Sequence, residues 1–278
     1  MAATEPNLSS PPRELEAGLT ARLLEVVKQQ ILSVQSYSLL CGRAVANIFS
    51  PPHYTLDLLD QMDVIGVGSL PIVILAGIFI GAILVLQTVA QFARFGETTL
   101  TGDVVSISLV RELGPTITAL LVAGRNASGI ASELGSMVVT EQVDAMRALG
   151  TDPSRKLVTP RVSAAVLVLP LLVAIADLFG LLGGVAAVLL TRQLGAVQFW
   201  TRAVNALDFS DLMQGLTKPL VFGFILSSVG CYLGLNVRGG TQGVGRATTQ
   251  AVVVSSVIIL VSDFFLDKLM LYLSGHVF

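Results

Sequence analysis

Residues 70–90 read Leu70-Pro71-Ile72-Val73-Ile74-Leu75-Ala76-Gly77-Ile78-Phe79-Ile80-Gly81-Ala82-Ile83-Leu84-Val85-Leu86-Gln87-Thr88-Val89-Ala90. No charged side chain interrupts the run. A helix rises about 1.5 Å per residue, so about 20 such residues cross the roughly 30 Å hydrocarbon core of a bilayer. The apolar stretch extends over residues 64–93, the first predicted span. Gly66, Gly68 and Pro71 near its start are expected to break or kink it. Gly77 and Gly81 form a GxxxG pair, which admits a neighbouring helix closely.

Working outward, four more long apolar stretches follow, at residues 104–139, 162–190, 212–237 and 247–271. The first of these is too long for one straight span, so one end is expected to project beyond the bilayer. Its small residues, among them Gly114, Gly124, Gly129 and Ser132, suit a helix in the middle of a bundle. Composition agrees: 53% of the 278 residues are hydrophobic and 13% charged, and mean hydropathy is +0.77. A soluble domain carries about 25% charged residues. A net charge of −2 gives no basis for nucleic-acid binding. Cys41 and Cys231 fit no disulfide or zinc framework.

Upstream, residues 13–49 place Leu15, Leu19, Leu23, Val27, Ile31, Val34, Val45 and Ile48 at helical spacing, with Arg13, Glu14, Arg22, Glu25 and Lys28 between them. That is an amphipathic helix with too many charges to span, expected to lie in the membrane interface. Pro51-Pro52 ends it, and a second amphipathic piece covers residues 56–62. Residues 1–12 are polar, with no short apolar core of a signal peptide, and are read as a disordered tail. The expected fold is therefore all-α integral membrane: interfacial amphipathic helices over residues 13–62, then five transmembrane helices over residues 63–278. With the N-terminus in the cytoplasm, ten Lys and Arg fall on the inner segments and three, Arg94, Arg192 and Arg202, on the outer loops. This bias sets the orientation and places the C-terminus outside.

Signals of catalysis are scarce. There are two histidines, His53 and His276, and no HExxH, GxSxG or GxxxxGK[ST] motif. Gly239-Gly240-Thr241-Gln242-Gly243-Val244-Gly245 lacks the lysine of a phosphate loop and reads as a flexible turn before the fifth span. Charges inside spans are the sharper signal, because each is costly in hydrocarbon. Arg111 and Glu112 are consecutive and do not face one another on a helix. Each needs another partner or a polar cavity, so they are either contacts lining a lipid-conducting path or charges that hold the bundle. Asp177 and Asp263 are either a proton relay or helix-packing groups bonded to Arg125 or to Ser and Thr hydroxyls. The packing role is preferred, because no chain of acids and histidines accompanies them.

Residues 140–153 link the second and third spans on the predicted cytoplasmic face. Thr140 is a plausible N-cap, and Glu141 and Asp144 suit the positive end of a helix. Gly150 suits a left-handed C-cap, and Pro153 prevents continuation. A helix this short is marginal alone. It exposes Val143, Met146 and Leu149 and is expected to lie against something else, either lipid headgroups and helix ends or a docked partner protein.

Taken in order, Arg111-Glu112-Leu113-Gly114-Pro115, Gly124-Arg125, the Glu141-Gln142 helix start, Pro160-Arg161 and Arg246-Ala247-Thr248-Thr249 resemble the MlaE/YrbE family of ABC-transporter permeases. The resemblance runs from about residue 46 to residue 271. It implies a homodimeric permease in the bacterial inner membrane, which is not itself an enzyme. It further implies two copies of a cytoplasmic ATPase below, which carry ATP and Mg, and a periplasmic hexamer of MCE-domain subunits above. The implied cargo is phospholipid moved between inner and outer membranes. Arg111, Glu112 and Gln87 are then lipid-path candidates. Glu141, Gln142, Asp144, Met146 and Leu149 are the coupling candidates, and Arg125, Asp177 and Asp263 structural or polar groups of the bundle. Two other classes compete. A proton-coupled secondary transporter often shows internal repeats, and none is evident. An intramembrane lipid-modifying enzyme needs a nucleophile and base within the spans, and none is evident either.

The topology is testable. An alkaline phosphatase fused after Phe278 should be active and a fluorescent cytoplasmic reporter there silent. The reverse pattern would remove one span from the scheme.

Overall fold

The computed structural model describes residues 13–52, 54–191 and 194–273. The predicted tail at residues 1–12, both histidines, Arg192 and Phe278 lie outside the described residues. The described residues are helical, with no strand among them. Among the described residues, five segments are long and apolar enough to cross a membrane: Thr55–Phe95, Thr98–Val139, Ser154–Thr191, Phe209–Leu235 and Gly240–Tyr272.

Helix α1 covers Arg13–Ile48 and stops just before Pro51-Pro52. Its portion up to Gly42 is a compact unit of its own. Along it Leu24, Val27, Ile31 and Val34 are all exposed, an apolar stripe that nothing within that unit covers. The second unit holds everything from Arg43 onward. The amphipathic piece at residues 56–62 is part of α2 (Thr55–Gly66), which leads straight into the first span. The predicted break is real: Val67–Ser69 form a single 3-10 turn, and α3 (Leu70–Phe92) starts with Pro71 in its first turn, where a missing N–H costs nothing.

The second span is three α segments: α4 (Thr101–Ser108), α5 (Gly114–Val122) and α6 (Ser128–Val139). Two π-helical turns, Leu109–Leu113 and Ala123–Ala127, separate them. Each wider turn shifts the faces that follow, and such turns recur at functional positions. A short helix α7 (Gln142–Ala148) then leads to α8 (Thr159–Thr191), α9 (Ala196–Asn205), α10 (Phe209–Leu235) and α11 (Gly240–Leu273). At the end of the bundle opposite α7, α9 turns Phe199 and Ala203 inward onto Val85, Val89, Leu109 and Val188. The glycine-rich stretch is not a flexible turn. Gly239 and Gly240 take φ of +90° and +67°, reverse the chain, and α11 begins at once.

Helices α3 and α8 meet backbone to backbone. A Cβ on Gly81 would lie 1.8 Å from the Gly180 carbonyl oxygen, and one on Gly183 would lie 2.1 Å from that of Ile78. The GxxxG reading is therefore correct, and α8 supplies the facing surface. Helix α10 is used the same way from its other side: Gly223 packs on the Ala165 carbonyl of α8 and Gly230 on that of Ala127.

A methyl group at the seam should separate these helices. Gly81→Ala is expected to cost at least the 1–3 kcal/mol typical of overpacking. Gly42→Ala on α1, with nothing within 4 Å of the added carbon, should be neutral or stabilise by up to about 1 kcal/mol. Thermal unfolding of both variants in detergent checks the contrast.

Candidate functional site

The charges in the spans converge. Lys218, fully buried on α10, donates from Nζ to Glu112 Oε2 at 2.9 Å and to the Arg111 carbonyl at 2.9 Å. The same ammonium lies 3.3 Å from Asp263 Oδ1 and contacts Asp267 Oδ1, both on α11. Asp263 and Asp267 are four residues apart and so share one helix face. Thr116 Oγ1 on α5 donates to the other oxygen of Asp263 at 2.9 Å. Arg111 Nε donates to Asp211 Oδ1 at 2.5 Å, and the Asp211 side chain is only 4% exposed. Asp211 also caps α10, where its Oδ2 accepts from the Asp208 N–H at 3.0 Å.

Two cations thus face four carboxylates across the second, fourth and fifth spans. Carboxylate oxygens of Glu112, Asp263 and Asp267 all lie within 4.8 Å of one another, a spacing a metal ion could use. The Lys218 ammonium stands among them and supplies the positive charge a metal would bring. The site sits in the half of the bundle away from α7: Lys218 is about 14 Å along α10 from its start at Phe209. The cluster is a charged, largely self-neutralised group inside an otherwise apolar bundle. It offers no activated nucleophile.

Arg111 and Glu112 have separate partners, as their adjacency in sequence requires, and of the partners considered for Asp263, Arg125 or a Ser or Thr hydroxyl, it takes Thr116. The sequence reading assigned no role to Lys218, Asp211 or Asp267. The available signal was Lys218 itself, a lysine followed by Pro219 inside an otherwise apolar helix. Gln87 joins no bond to this cluster and is exposed on α3. Arg125 does not bond to Asp177 or Asp263. From the second π turn it donates to the Val64 carbonyl and Ser69 Oγ, while Asn126 donates to Ser69 Oγ at 3.1 Å. These bonds clamp the break at the start of the first span. Asp177 is buried against Gly114, and its Oδ1 has no hydrogen-bond partner. The hydrogen bond expected there is absent because the bare Cα of Gly114 admits the carboxyl without offering a donor.

The link between α6 and α8 departs from expectation in detail. Thr140 does not cap α7. Its hydroxyl donates back to the Ser136 carbonyl at 2.8 Å and accepts from Gln142 Nε2 at 3.1 Å. Glu141 precedes the helix with φ +59°, the left-handed region, and makes no side-chain cap. Such a conformation costs a non-glycine residue about 1–3 kcal/mol. Gly150, at φ +76°, ends the helix as expected. Val143 is buried and cannot serve an outside partner, contrary to its expected exposure. Glu141, Gln142, Asp144 and Leu149 are exposed and Met146 half-buried, with Asp144 paired to Arg147 at 2.8 Å. Beneath them Arg161 of α8 reaches Glu133 of α6 at 2.8 Å. That pair joins the two helices that α7 connects.

Removing the ammonium alone strands three carboxylates. Lys218→Met should destabilise the chain by about 3–5 kcal/mol. Adding Glu112→Gln and Asp267→Asn to it should recover a large part. Unfolding of the single and combined variants in detergent measures the coupling.

A family profile described as "Permease MlaE" matches residues 58–269. A "Probable ABC transporter permease protein" of Rickettsia felis is 44% identical over 237 residues, covering 85% of this chain and 92% of the relative. "Protein TRIGALACTOSYLDIACYLGLYCEROL 1, chloroplastic" of Arabidopsis thaliana is 36% identical over 84% of this chain and 67% of that protein. The "Intermembrane phospholipid transport system permease protein MlaE" of Haemophilus influenzae is 35% identical over 78% of this chain and 84% of its own length. The match covers the charge cluster and the α7 link together, and the chain belongs to the MlaE permease family.

Proposed function

We propose that this chain is the membrane permease subunit of an ATP-binding-cassette transporter that moves phospholipid between two membranes. Family membership carries the reading, supported by the name of the Haemophilus influenzae relative. ATP and Mg then belong to a separate ATPase, which docks on α7. Two permease copies pair, and an MCE-domain hexamer stands on the far side. The excess of Lys and Arg on the α7 side supports an orientation with that end in the cytoplasm of a bacterial inner membrane and the C-terminus in the periplasm.

Pairing of two copies is supported by α11. Only 17% of its most apolar window is buried, against 67% for α10. Its exposed Val257, Val261, Phe264 and Phe265 form an outward apolar stripe on the side of the helix away from Asp263. A second copy set against α11 encloses an apolar cavity with Arg111 and Glu112 at its polar end, which suits a headgroup above acyl chains. Coupling is supported by the α7 link. A push on the exposed Glu141–Leu149 surface is passed to α6 and α8 together, because the Glu133–Arg161 pair ties their bases.

The test is reconstitution of the permease with its ATPase in vesicles holding a labelled phospholipid. Transfer to acceptor membranes should require ATP. Transfer driven by a proton gradient without ATP would overturn the reading in favour of a secondary transporter. Within the same system Glu141→Lys should lower lipid-coupled ATP hydrolysis at least tenfold or release the ATPase, since disrupting one side of a buried charge contact costs about 2–5 kcal/mol. Glu141→Gly should relieve the left-handed strain and stabilise the permease while still losing coupling. Normal coupling in both variants would remove α7 from the mechanism.

A further inference from the structure

Away from the charge cluster, a groove of about 250 Å³ opens between the end of α1, the start of α2 and the start of α8. Among the described residues, Arg155 is the one charged residue that lines it, beside Asn47, Pro52, Tyr54 and Thr159. The guanidinium donates to the Pro51 carbonyl at 2.8 Å and to Asn47 Oδ1 at 3.3 Å, both neutral acceptors. Among the described residues no carboxylate pairs with it. Its neighbour Lys156 is already taken by Asp57 and by the Tyr54 ring, 4.4 Å away. Arg155 is thus a half-buried charge without a counter-anion. A second groove, of about 460 Å³ and almost wholly apolar, continues from the first. The two share Ile48, Ser163 and Leu167, and the second runs between α8 and α10 to Phe224.

A single cation at the mouth of an apolar channel, at the end of a span, has the chemistry of a lipid with an anionic head. We propose that this channel binds one phospholipid of the leaflet on the α7 side, with its phosphate against Arg155 and an acyl chain along α8 and α10. The site is distinct from the Lys218 cluster: it is at the other end of the bundle and shares none of its residues. The bound lipid holds the end of α1 and the start of α2 to α8, at the base from which α7 projects.

The test places a tryptophan in the channel and reads its quenching by brominated lipid. The full chain in detergent carries Phe224→Trp with its one native tryptophan removed as Trp200→Phe. Brominated phosphatidylglycerol should quench at a mole fraction about tenfold lower than brominated diacylglycerol, which has no phosphate. Arg155→Ala should abolish that difference. Arg155→Ala also loses the bonds to Pro51 and Asn47, so Ser163→Phe serves as a second variant. It fills the shared part of the channel without touching those bonds, and should weaken quenching by both lipids. A reporter at Leu178, half-exposed on the same helix but outside the channel, should not distinguish the two lipids. Equal quenching by both lipids in the parent reporter, an unchanged preference in Arg155→Ala, or the same preference at Leu178 would each overturn the proposal. No ATPase is present in this measurement, so failure of the transport reading leaves its outcome unaffected.

Discussion

One ammonium group with no exposure holds three of the five spans in register. Lys218 is surrounded by oxygens from the second span, through Glu112 and the Arg111 carbonyl, and from the fifth, through Asp263 and Asp267. Hydrocarbon offers no alternative partner, so any rotation or slide of α10 against its neighbours leaves a bare charge. The sequence neighbours Arg111 and Glu112 both serve α10: Arg111 reaches Asp211 and Glu112 reaches Lys218. Asp211 and Lys218 are seven residues apart, two turns on one face. The π-helical turn at Leu109–Leu113 lets consecutive residues meet that one face.

The other two spans are held by different physics. Between α3 and α8 there is no charge to satisfy, and lipid competes with any side chain for apolar contact. Association there rests on van der Waals contact at close range, which requires glycine on both sides. Gly77 and Gly81 answer Ala176 and Gly180, and Gly183 answers Ile78. A tight apolar pair therefore sits beside a charge-pinned triple, with α8 and α10 touching across Gly223.

Only one short helix joins these parts at the α7 end. α6 belongs to the charge-pinned side and α8 to the glycine seam. The link between them combines a strained Glu141, a buried Val143 and the Glu133–Arg161 pair. The glycine-rich stretch before α11 has no such character, because it is helical from Gly240 onward.

Sequence by itself determined the solvent and the element type. Long runs without charge demand a bilayer, and a bilayer demands helices whose backbone bonds are internal. It also determined the break at Gly66–Pro71, the close-packing face at Gly77 and Gly81, and the need of Arg111 and Glu112 for separate partners, all of which follow from local chemistry. Tertiary structure alone decided which partners those were. The partners of Lys218 lie on other helices, Glu112 more than a hundred residues away in sequence, and pairing over that distance leaves no periodic trace. Tertiary structure also decided the left-handed Glu141 and the burial of Val143. Local signals favoured a Thr140 cap, but its hydroxyl bonds back to the Ser136 carbonyl of α6, and a short helix is too weak alone to impose its own cap.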